Sequence, residues 1–153
     1  MAPHKSVQRF LDATQGLDLA VREMADSTHT AQEAADAVGA PVGAIVKSLV
    51  FLADFGPVLV LASGSNRVDP ELLGRELGTP LHKADADQVK AATGWSIGGV
   101  PPFGHSEALR CVMDRDLMQF DTLWAAAGSP RAVFPISPDR LCELAGASLH
   151  PVC

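Results

Sequence analysis

One lysine of the chain lies among residues that do not favour a charge. Lys47 belongs to the run of residues 43–52, which is otherwise mostly apolar and typical of a buried β-strand. Burying an ammonium group without a partner costs several kcal/mol, so the position needs a reason. Lys47 either extends its tip to water or pairs with a carboxylate, or it binds an anionic or carbonyl-bearing ligand at the mouth of the strand.

A second unusual stretch spans Thr93–His105 and is rich in glycine and proline. Its composition is neither helical nor typical of a strand, so we expect a loop whose backbone amides are not covered by side chains. Such amides can bind an anion or a developing oxyanion. The alternative is a tight connection whose glycines serve only the geometry of its turns.

Several other polar residues are weaker candidates for chemistry. His105 follows the loop and is either a general base or a residue that orients the loop. Ser129 either hydrogen-bonds a substrate or belongs to a Gly-Ser-Pro turn. We expect Asp114 to fix a turn at the end of a strand, and His29 to lie on the surface.

Composition limits the class of protein. The 153 residues predict a single domain, 1–153, with a core made mainly of aliphatic side chains, since tyrosine is absent. The formal charge of −6 argues against a broad electrostatic contact with nucleic acid, and no DNA partner is expected. Contact with one phosphate or with the end of a strand remains compatible with this charge.

The cysteines and the apolar runs exclude further classes. The three cysteines, Cys111, Cys142 and Cys153, are widely spaced and form no Cys-x-x-Cys pair, so neither a disulfide framework nor a zinc site is expected. No apolar run reaches the roughly 18 residues of a membrane helix. The N-terminal residues lack the apolar block of a signal peptide, so the expected location is the cytoplasm.

Local signals predict a mixture of hairpins and helices. The pattern gives an α+β domain with a mixed, mostly antiparallel sheet of about six or seven strands and helices packed on it. Residues 47–52 and 58–62 are predicted to pair as a hairpin in the middle of the sheet. The predicted helices cover 6–17, 30–39, 69–78, 85–93 and 138–146, and further strands are predicted at 17–24, 80–84, 107–113, 120–127 and 131–136.

The order of motifs resembles the YbaK-type editing domains, which are free-standing aminoacyl-tRNA deacylases related to the insertion domain of bacterial prolyl-tRNA synthetases. The resemblance covers about residues 6–147, and the joint order of the motifs is more specific than any one of them. The motifs are an alanine-rich helix ending at Gly39, the run Ile45–Phe51, the loop Gly98–His105, the pair Met113-Asp114, the turn Ala126–Pro130 and a Ser-Pro-Asp-capped helix with Leu141.

The resemblance implies a fold, an activity and a set of site residues. The expected activity is hydrolysis of the ester between a wrong small amino acid, such as Cys or Ala, and the 3′-terminal ribose of a tRNA, often the tRNA for proline. No metal or organic cofactor is implied. The expected partners are the acceptor end of aminoacyl-tRNA and a synthetase, and a homodimer is one oligomeric state that the sequence allows. The resemblance implies site roles for Lys47, for the loop Gly98–Pro102 and for Gly128. Together with the candidates His105 and Ser129, this predicts the catalytic residues Lys47, Gly98, Gly99 and Gly128 and the substrate-binding residues Val100, Pro101, Pro102, Ser129 and His105.

The chemistry suits these residue types. An aminoacyl ester is already activated, so water, or a hydroxyl of the tRNA or substrate, can attack it without a side-chain nucleophile. Lys47 would hold a phosphate or the ester carbonyl, and the glycine amides would stabilise the oxyanion. Which amino acid fits depends on the residues that line the pocket, with Leu49, Phe51, Val60, Ile97 and Phe103 as candidates.

Two other hypotheses remain at this stage. The first is a module of the same fold that binds aminoacyl-tRNA or a synthetase without turnover. The second is an enzyme that forms a Schiff base between Lys47 and a small carbonyl compound, which requires a lowered lysine pKa.

Overall fold

A computed structural model of the protein describes residues 4–24, 30–105 and 107–153. His29 lies outside the described residues. Within those residues the chain forms five α-helices and eight β-strands, in agreement with the predicted α+β class. The helices are Lys5–Ala13 (α1), Ala31–Val38 (α2), Pro70–Leu77 (α3), Ala86–Thr93 (α4) and Pro138–Ala145 (α5).

The strands form two sheets rather than the single predicted sheet. One sheet has five strands in the order β4-β2-β3-β5-β8, and the other has three in the order β1-β7-β6. Pairing is antiparallel except for β3 with β5 and β5 with β8, as a mixed, mostly antiparallel arrangement requires. The strands are Arg22–Glu23 (β1), Val46–Ala53 (β2), Gly56–Ser63 (β3), His82–Lys83 (β4), Arg110–Asp114 (β5), Leu123–Ala126 (β6), Ala132–Ile136 (β7) and Ala147–His150 (β8).

The hairpin of β2 and β3 lies at the centre of the larger sheet. Its register pairs Val46 with Ser63 at one end and Ala53 with Gly56 at the turn. Both strands are covered on both faces. The larger apolar cluster includes Val50 and Leu59, and a smaller one on the opposite face includes Phe51. The apolar character of both strands therefore reflects their central position, as predicted.

Capping residues fix most helix ends where the sequence indicates them. Asp69 accepts hydrogen bonds from the backbone at the start of α3, and Asp85 forms a capping box with Gln88 at the start of α4. The predicted helix 6–17 is Lys5–Ala13 in the structure, and its cap lies two residues before the predicted Ser6: His4 Nδ1 accepts the capping hydrogen bond from the Ser6 amide. None of the helices in the described part of the chain has the length and hydrophobicity needed to cross a lipid bilayer.

The sequence-based prediction missed one strand and overextended another. β8 follows α5 directly and pairs in parallel with β5, a contact between residues far apart in the chain. The predicted strand over 17–24 is reduced to Arg22–Glu23, because only these two residues pair with β7.

Candidate active site

One cavity lies where the two sheets meet, beside the N-terminal half of β2. Its volume is about 290 Å³, at the lower end of the roughly 300–1,000 Å³ typical of ligand pockets. Most of its wall is aliphatic or alanine. The lining residues are Thr30, Ala31, Ala34, Val38, Ile45, Val46, Lys47, Ser48, Leu49, Val50, Lys83, Ala84, Val89, Ile97, Gly98, Val100, Trp124, Ala125, Ala126, Ser129, Pro130 and Val133.

An interruption in strand pairing creates this cavity. On the edge of β2 that faces away from β3, β4 pairs only with Phe51 and Leu52, and the Ala84 amide then donates to Val50 O at 3.1 Å. Strand β6 of the other sheet meets β2 through a single parallel bridge between Ile45 and Trp124. Between these contacts no described strand pairs with Ser48 at that edge, and the gap opens into the cavity.

Lys47 lies at the pocket in a half-buried position. Its ammonium group donates a hydrogen bond to the main-chain carbonyl of Asn66, in the loop after β3. Burial lowers the pKa of Lys47 below its ordinary value of 10.5, and the positive charges of Lys83 and Arg67 add to this effect. The nearby Asp114 carboxylate opposes it. The fold therefore provides the Lys47 ammonium with a hydrogen-bond acceptor.

Asp114 supports Lys47 indirectly. Its buried carboxylate accepts hydrogen bonds from the backbone amides of Ser63 and Asp116 at 3.0 Å and from Asn66 Nδ2 at 2.8 Å. Asn66 is thereby fixed, and its carbonyl receives the Lys47 ammonium. The sequence indicated that Asp114 fixes a turn, and the carboxylate does cap the 3-10 helix that follows β5. The link to Asn66 was not anticipated.

The glycine-rich loop brings Gly98 and Val100 to the pocket wall. The Gly99 amide donates to Ser96 O at 3.0 Å and closes a four-residue turn, with Gly98 at the third position and φ of +91°. A side chain is strained at that φ, so the turn requires glycine there. The amides of Gly98 and Val100 make no hydrogen bond to any other described residue, and both are free to act as donors.

Gly99 serves packing rather than oxyanion binding, which corrects the role predicted for it. Because its amide is already bonded to Ser96, it is not available to a substrate. A β-carbon on Gly99 would lie 2.9 Å from Gly128 O and from Ser129 N, so glycine allows the two loops to touch. Gly128 is outside the pocket wall, and a side chain there would collide with the Ser6 carbonyl and the Trp95 indole.

The structure does not bring Pro101, Pro102 and His105 into the pocket wall, although all three were predicted to bind substrate. Both prolines are buried. The His105 ring lies edge-on to Trp95 with 5.8 Å between ring centroids, and its Nε2 is 2.9 Å from Pro101 O. Burial lowers the pKa of His105, and the hydrogen bond to Pro101 partly opposes that shift. These contacts favour the second of the two roles considered, in which His105 orients the loop.

The remaining predicted pocket residues divide into two groups. Ser129 lines the pocket, and its hydroxyl accepts a hydrogen bond from the Arg131 amide at 3.1 Å. Leu49 and Ile97 also line it, and Ile97 is 57% exposed at the mouth. Phe51, Val60 and Phe103 do not line it, because the first two pack in the smaller cluster and Phe103 packs on aromatic rings of the larger one.

Sequence reasoning missed Asn66, Lys83 and Ser48 as site residues. Ser48 carried a usable signal, since it is a second polar residue within an apolar strand. Asn66 and Lys83 carried none, because both come to Lys47 from other segments of the fold. Among the described residues, no group of three or more His, Cys, Asp or Glu side chains is placed to hold a metal ion.

Comparison with known proteins identifies the class. The Aminoacyl-tRNA editing domain family matches residues 25–144, which is most of the chain, and the protein belongs to this family. The predicted resemblance to editing domains is thereby confirmed.

Individual relatives agree with the family assignment. A solved structure described as a candidate trans-editing enzyme for prolyl tRNA synthetase is 44% identical, with a TM-score of 0.93 over 99% of this chain and 98% of that one. The protein YwhH of Bacillus subtilis is 31% identical over 80% of this chain and 79% of its own length. The candidate Cys-tRNA(Pro)/Cys-tRNA(Cys) deacylase EbsC of Enterococcus faecalis is 25% identical over 75% of this chain and 71% of its own.

Proposed function

We propose that this protein hydrolyses, as a free-standing enzyme, the ester bond between a wrong small amino acid and the 3′-terminal ribose of a tRNA, with the tRNA for proline as the expected substrate. One observation carries the proposal: in a chain of the editing-domain family, Lys47, Gly98 and Val100 line the same pocket, and the amides of Gly98 and Val100 have no hydrogen-bond partner among the described residues. The relatives associated with prolyl-tRNA support the choice of tRNA.

The pocket favours a small aminoacyl group. Its volume of about 290 Å³ must also admit part of the terminal ribose, and its floor is formed by apolar residues such as Val46, Val50 and Val89. A large aromatic side chain together with the ribose would fill or exceed this space. Discrimination by volume is weak for a single methylene group, roughly 10- to 200-fold, so polar groups in the wall matter for selectivity.

The amides of Gly98 and Val100 suit the chemical step. An oxygen nucleophile adds to the ester carbonyl carbon, and the carbonyl oxygen becomes an oxyanion that these amides can stabilise. The tetrahedral intermediate then loses the ribose oxygen, which takes up a proton. The net reaction consumes one water and releases the free amino acid and a tRNA with an intact 3′ end. The ester is activated, so the chain need not supply a nucleophile.

Lys47 supplies positive charge where the acceptor end enters. Its ammonium can bind a terminal phosphate or the ester carbonyl, and Lys83 and Arg67 lie close enough to influence its pKa. These three cations lie near one another on a chain whose formal charge is −6, with the Asp114 carboxylate beside them. The proposal therefore predicts contact with the last nucleotides of the tRNA rather than with its whole length. We further propose that the reaction takes place in the cytoplasm, where a synthetase and a second copy of this chain are candidate partners.

A deacylation assay tests the proposal. Ala-, Ser- and Cys-charged tRNA for proline are incubated with the wild type, with Lys47→Ala and with Lys5→Ala, an exposed lysine of α1 that serves as a matched control. We expect the wild type and Lys5→Ala to release amino acid at similar rates and Lys47→Ala to be about 100-fold slower or more.

Other results would favour the competing hypotheses. Binding of the charged tRNA without release of amino acid by the wild type would favour the non-catalytic module. Covalent trapping of a carbonyl compound on Lys47 by borohydride, in a protein inactive on every charged tRNA, would favour the Schiff-base enzyme, which the lowered pKa of Lys47 permits.

A further inference from the structure

Ser48 places a polar group in the apolar part of the pocket wall. Its side chain shares one face of β2 with Val46 and Val50, which are buried and line the pocket. Ser48 Oγ is buried and has no hydrogen-bond partner in the described part of the chain. The hydroxyl thus differs from that of Ser63 on the neighbouring strand, which donates to Gly43 O at 2.7 Å.

Folding alone gives no reason to retain this hydroxyl. A buried polar group without a partner is unfavourable, whereas alanine would occupy nearly the same volume without that penalty. A partner supplied by a ligand would remove the penalty. The position of Ser48 in a ligand-sized cavity makes such a partner accessible.

The main chain of Ser48 faces the same gap. Because the Val50 carbonyl points away from β3 to accept from the Ala84 amide, the strand period of two directs the amide and carbonyl of Ser48 to the same edge. No described strand pairs with Ser48 there. One residue therefore offers a hydroxyl, an N–H and a C=O beside the cavity, in a wall that is otherwise mostly apolar.

We propose that Ser48 is a specificity residue that binds the side-chain hydroxyl of the misacylated amino acid, so that the preferred substrate carries a small hydroxyl-bearing residue such as serine rather than alanine. This inference rests on the proposed deacylase function. The hydroxyl oxygen lies just inside the wall, with less than 1 Å² accessible in the free protein. A change of rotamer about the Cα–Cβ bond turns it toward the bound side chain. A thiol is a weaker hydrogen-bonding group, so a cysteinyl ester ranks between the two.

The test compares two esters on the same tRNA. The kcat/KM for Ser-tRNA and Ala-tRNA, both on the tRNA for proline, is measured for the wild type, Ser48→Ala and Ser48→Thr, with Ser148→Ala on the exposed surface of β8 as the matched control. We expect the wild type to prefer the seryl ester about 10-fold, the value of one neutral hydrogen bond. Ser48→Ala loses that preference, because its seryl rate falls relative to its alanyl rate. Ser48→Thr keeps the preference, and Ser148→Ala behaves as the wild type.

The possible failures are distinguishable. If the wild type hydrolyses the alanyl ester at least as fast as the seryl ester, or if Ser48→Ala slows both equally, the specificity role is wrong while the deacylase function stands. If the wild type hydrolyses neither ester nor any other mischarged tRNA, the proposed function itself fails. Thermal unfolding of Ser48→Ala, expected at the same temperature as the wild type or higher, shows that a lost preference does not come from a lost fold.

Discussion

Two adjacent polar residues of β2, Lys47 and Ser48, lie on opposite faces of the strand and differ in their hydrogen bonding. Lys47 is on the face of the smaller apolar cluster, and its ammonium is bonded to Asn66, which Asp114 fixes in turn. Ser48 is on the face of the larger cluster, and its buried hydroxyl has no partner among the described residues. The ammonium of Lys47 therefore has a hydrogen-bond partner in the folded protein, whereas the hydroxyl of Ser48 can gain one from a ligand.

This difference separates two tasks of a binding site. A supported charge is ready before substrate arrives, so little reorganisation is needed when the acceptor end binds. An unpartnered hydroxyl in an apolar wall contributes mainly by disfavouring a substrate that cannot satisfy it. Variants that remove the hydrogen bonds behind Lys47, or that remove the unpartnered hydroxyl of Ser48, should therefore change the free energy of unfolding and the activity by different amounts and with different signs.

The largest loss of stability is expected for Asp114→Asn. The amide places an N–H₂ group where the carboxylate accepts three hydrogen bonds and removes the negative charge near Lys47. We expect a loss of about 3 kcal/mol in the free energy of unfolding, together with slower deacylation. Chemical denaturation measures the loss. The control is Asp116→Asn, whose exposed carboxylate accepts from Asn66 Nδ2 and should cost about 0.5 kcal/mol. Equal losses for both variants would show that Asp114 is not the centre of the support.

The next effect concerns the contact between the two loops. In Gly99→Ala a β-carbon would meet the backbone of Gly128 and Ser129 at 2.9 Å, so the loops must separate. We expect the free energy of unfolding to fall by about 2 kcal/mol. We also expect kcat/KM to drop about 10-fold, because Gly98 moves with its loop. Gly146→Ala at the end of α5 is the matched control, since its β-carbon meets nothing within 4 Å but its φ of +60° is strained. That variant should lose stability with normal activity. Normal activity in Gly99→Ala would argue against a role for the loop contact.

Two serine-to-alanine variants should change the free energy of unfolding in opposite directions. Ser48→Ala removes an unsatisfied buried hydroxyl, so the free energy of unfolding should rise by about 1 kcal/mol. Ser63→Ala removes the hydroxyl that donates to Gly43 O and should lower it by about 1 kcal/mol. Urea denaturation of both variants under one condition makes the comparison. A loss of stability in Ser48→Ala would mean that its hydroxyl already has a partner.

The smallest effect is a dependence of stability on pH that comes from Lys47. Because burial lowers its pKa in the folded state, the unfolded chain holds the Lys47 proton more firmly between that lowered pKa and 10.5. The unfolded state binds more protons in this window, so the stability of the wild type should rise with pH relative to Lys47→Met. Denaturation of both proteins at several alkaline pH values measures this. A flat difference would indicate that the Lys47 tip is solvated like an exposed lysine.

Features that depend on contacts between residues close in the sequence were predictable, and features that depend on contacts between distant segments were not. Asp69, Asp85 and Gly39 set helix ends through contacts within a few residues, and the β2–β3 hairpin follows from two adjacent apolar runs. Lys47 was conspicuous because a charge in such a run is costly. The role of Gly99, by contrast, depends on Gly128, which comes from a distant turn.

The same distinction explains the errors at the site. The resemblance matched the whole loop Gly98–Pro102 to the family, and His105 was a candidate because it follows that loop. In the fold the loop turns inward after Val100, and His105 bonds back to Pro101 beside Trp95. Asn66 and Lys83 reach Lys47 only after the sheet has formed, which no local pattern indicates.

An NMR titration with a non-hydrolysable ligand tests the central claim most directly. In 3′-seryl-amino-3′-deoxyadenosine an amide replaces the reactive ester, so the complex persists while amide resonances are followed. The pocket assignment predicts the largest shifts at the Gly98, Val100 and Ser48 amides, and loss of binding in Lys47→Ala. Shifts confined to another surface, such as the groove beside α3 formed by Glu71, Gly74 and Thr79, would contradict it.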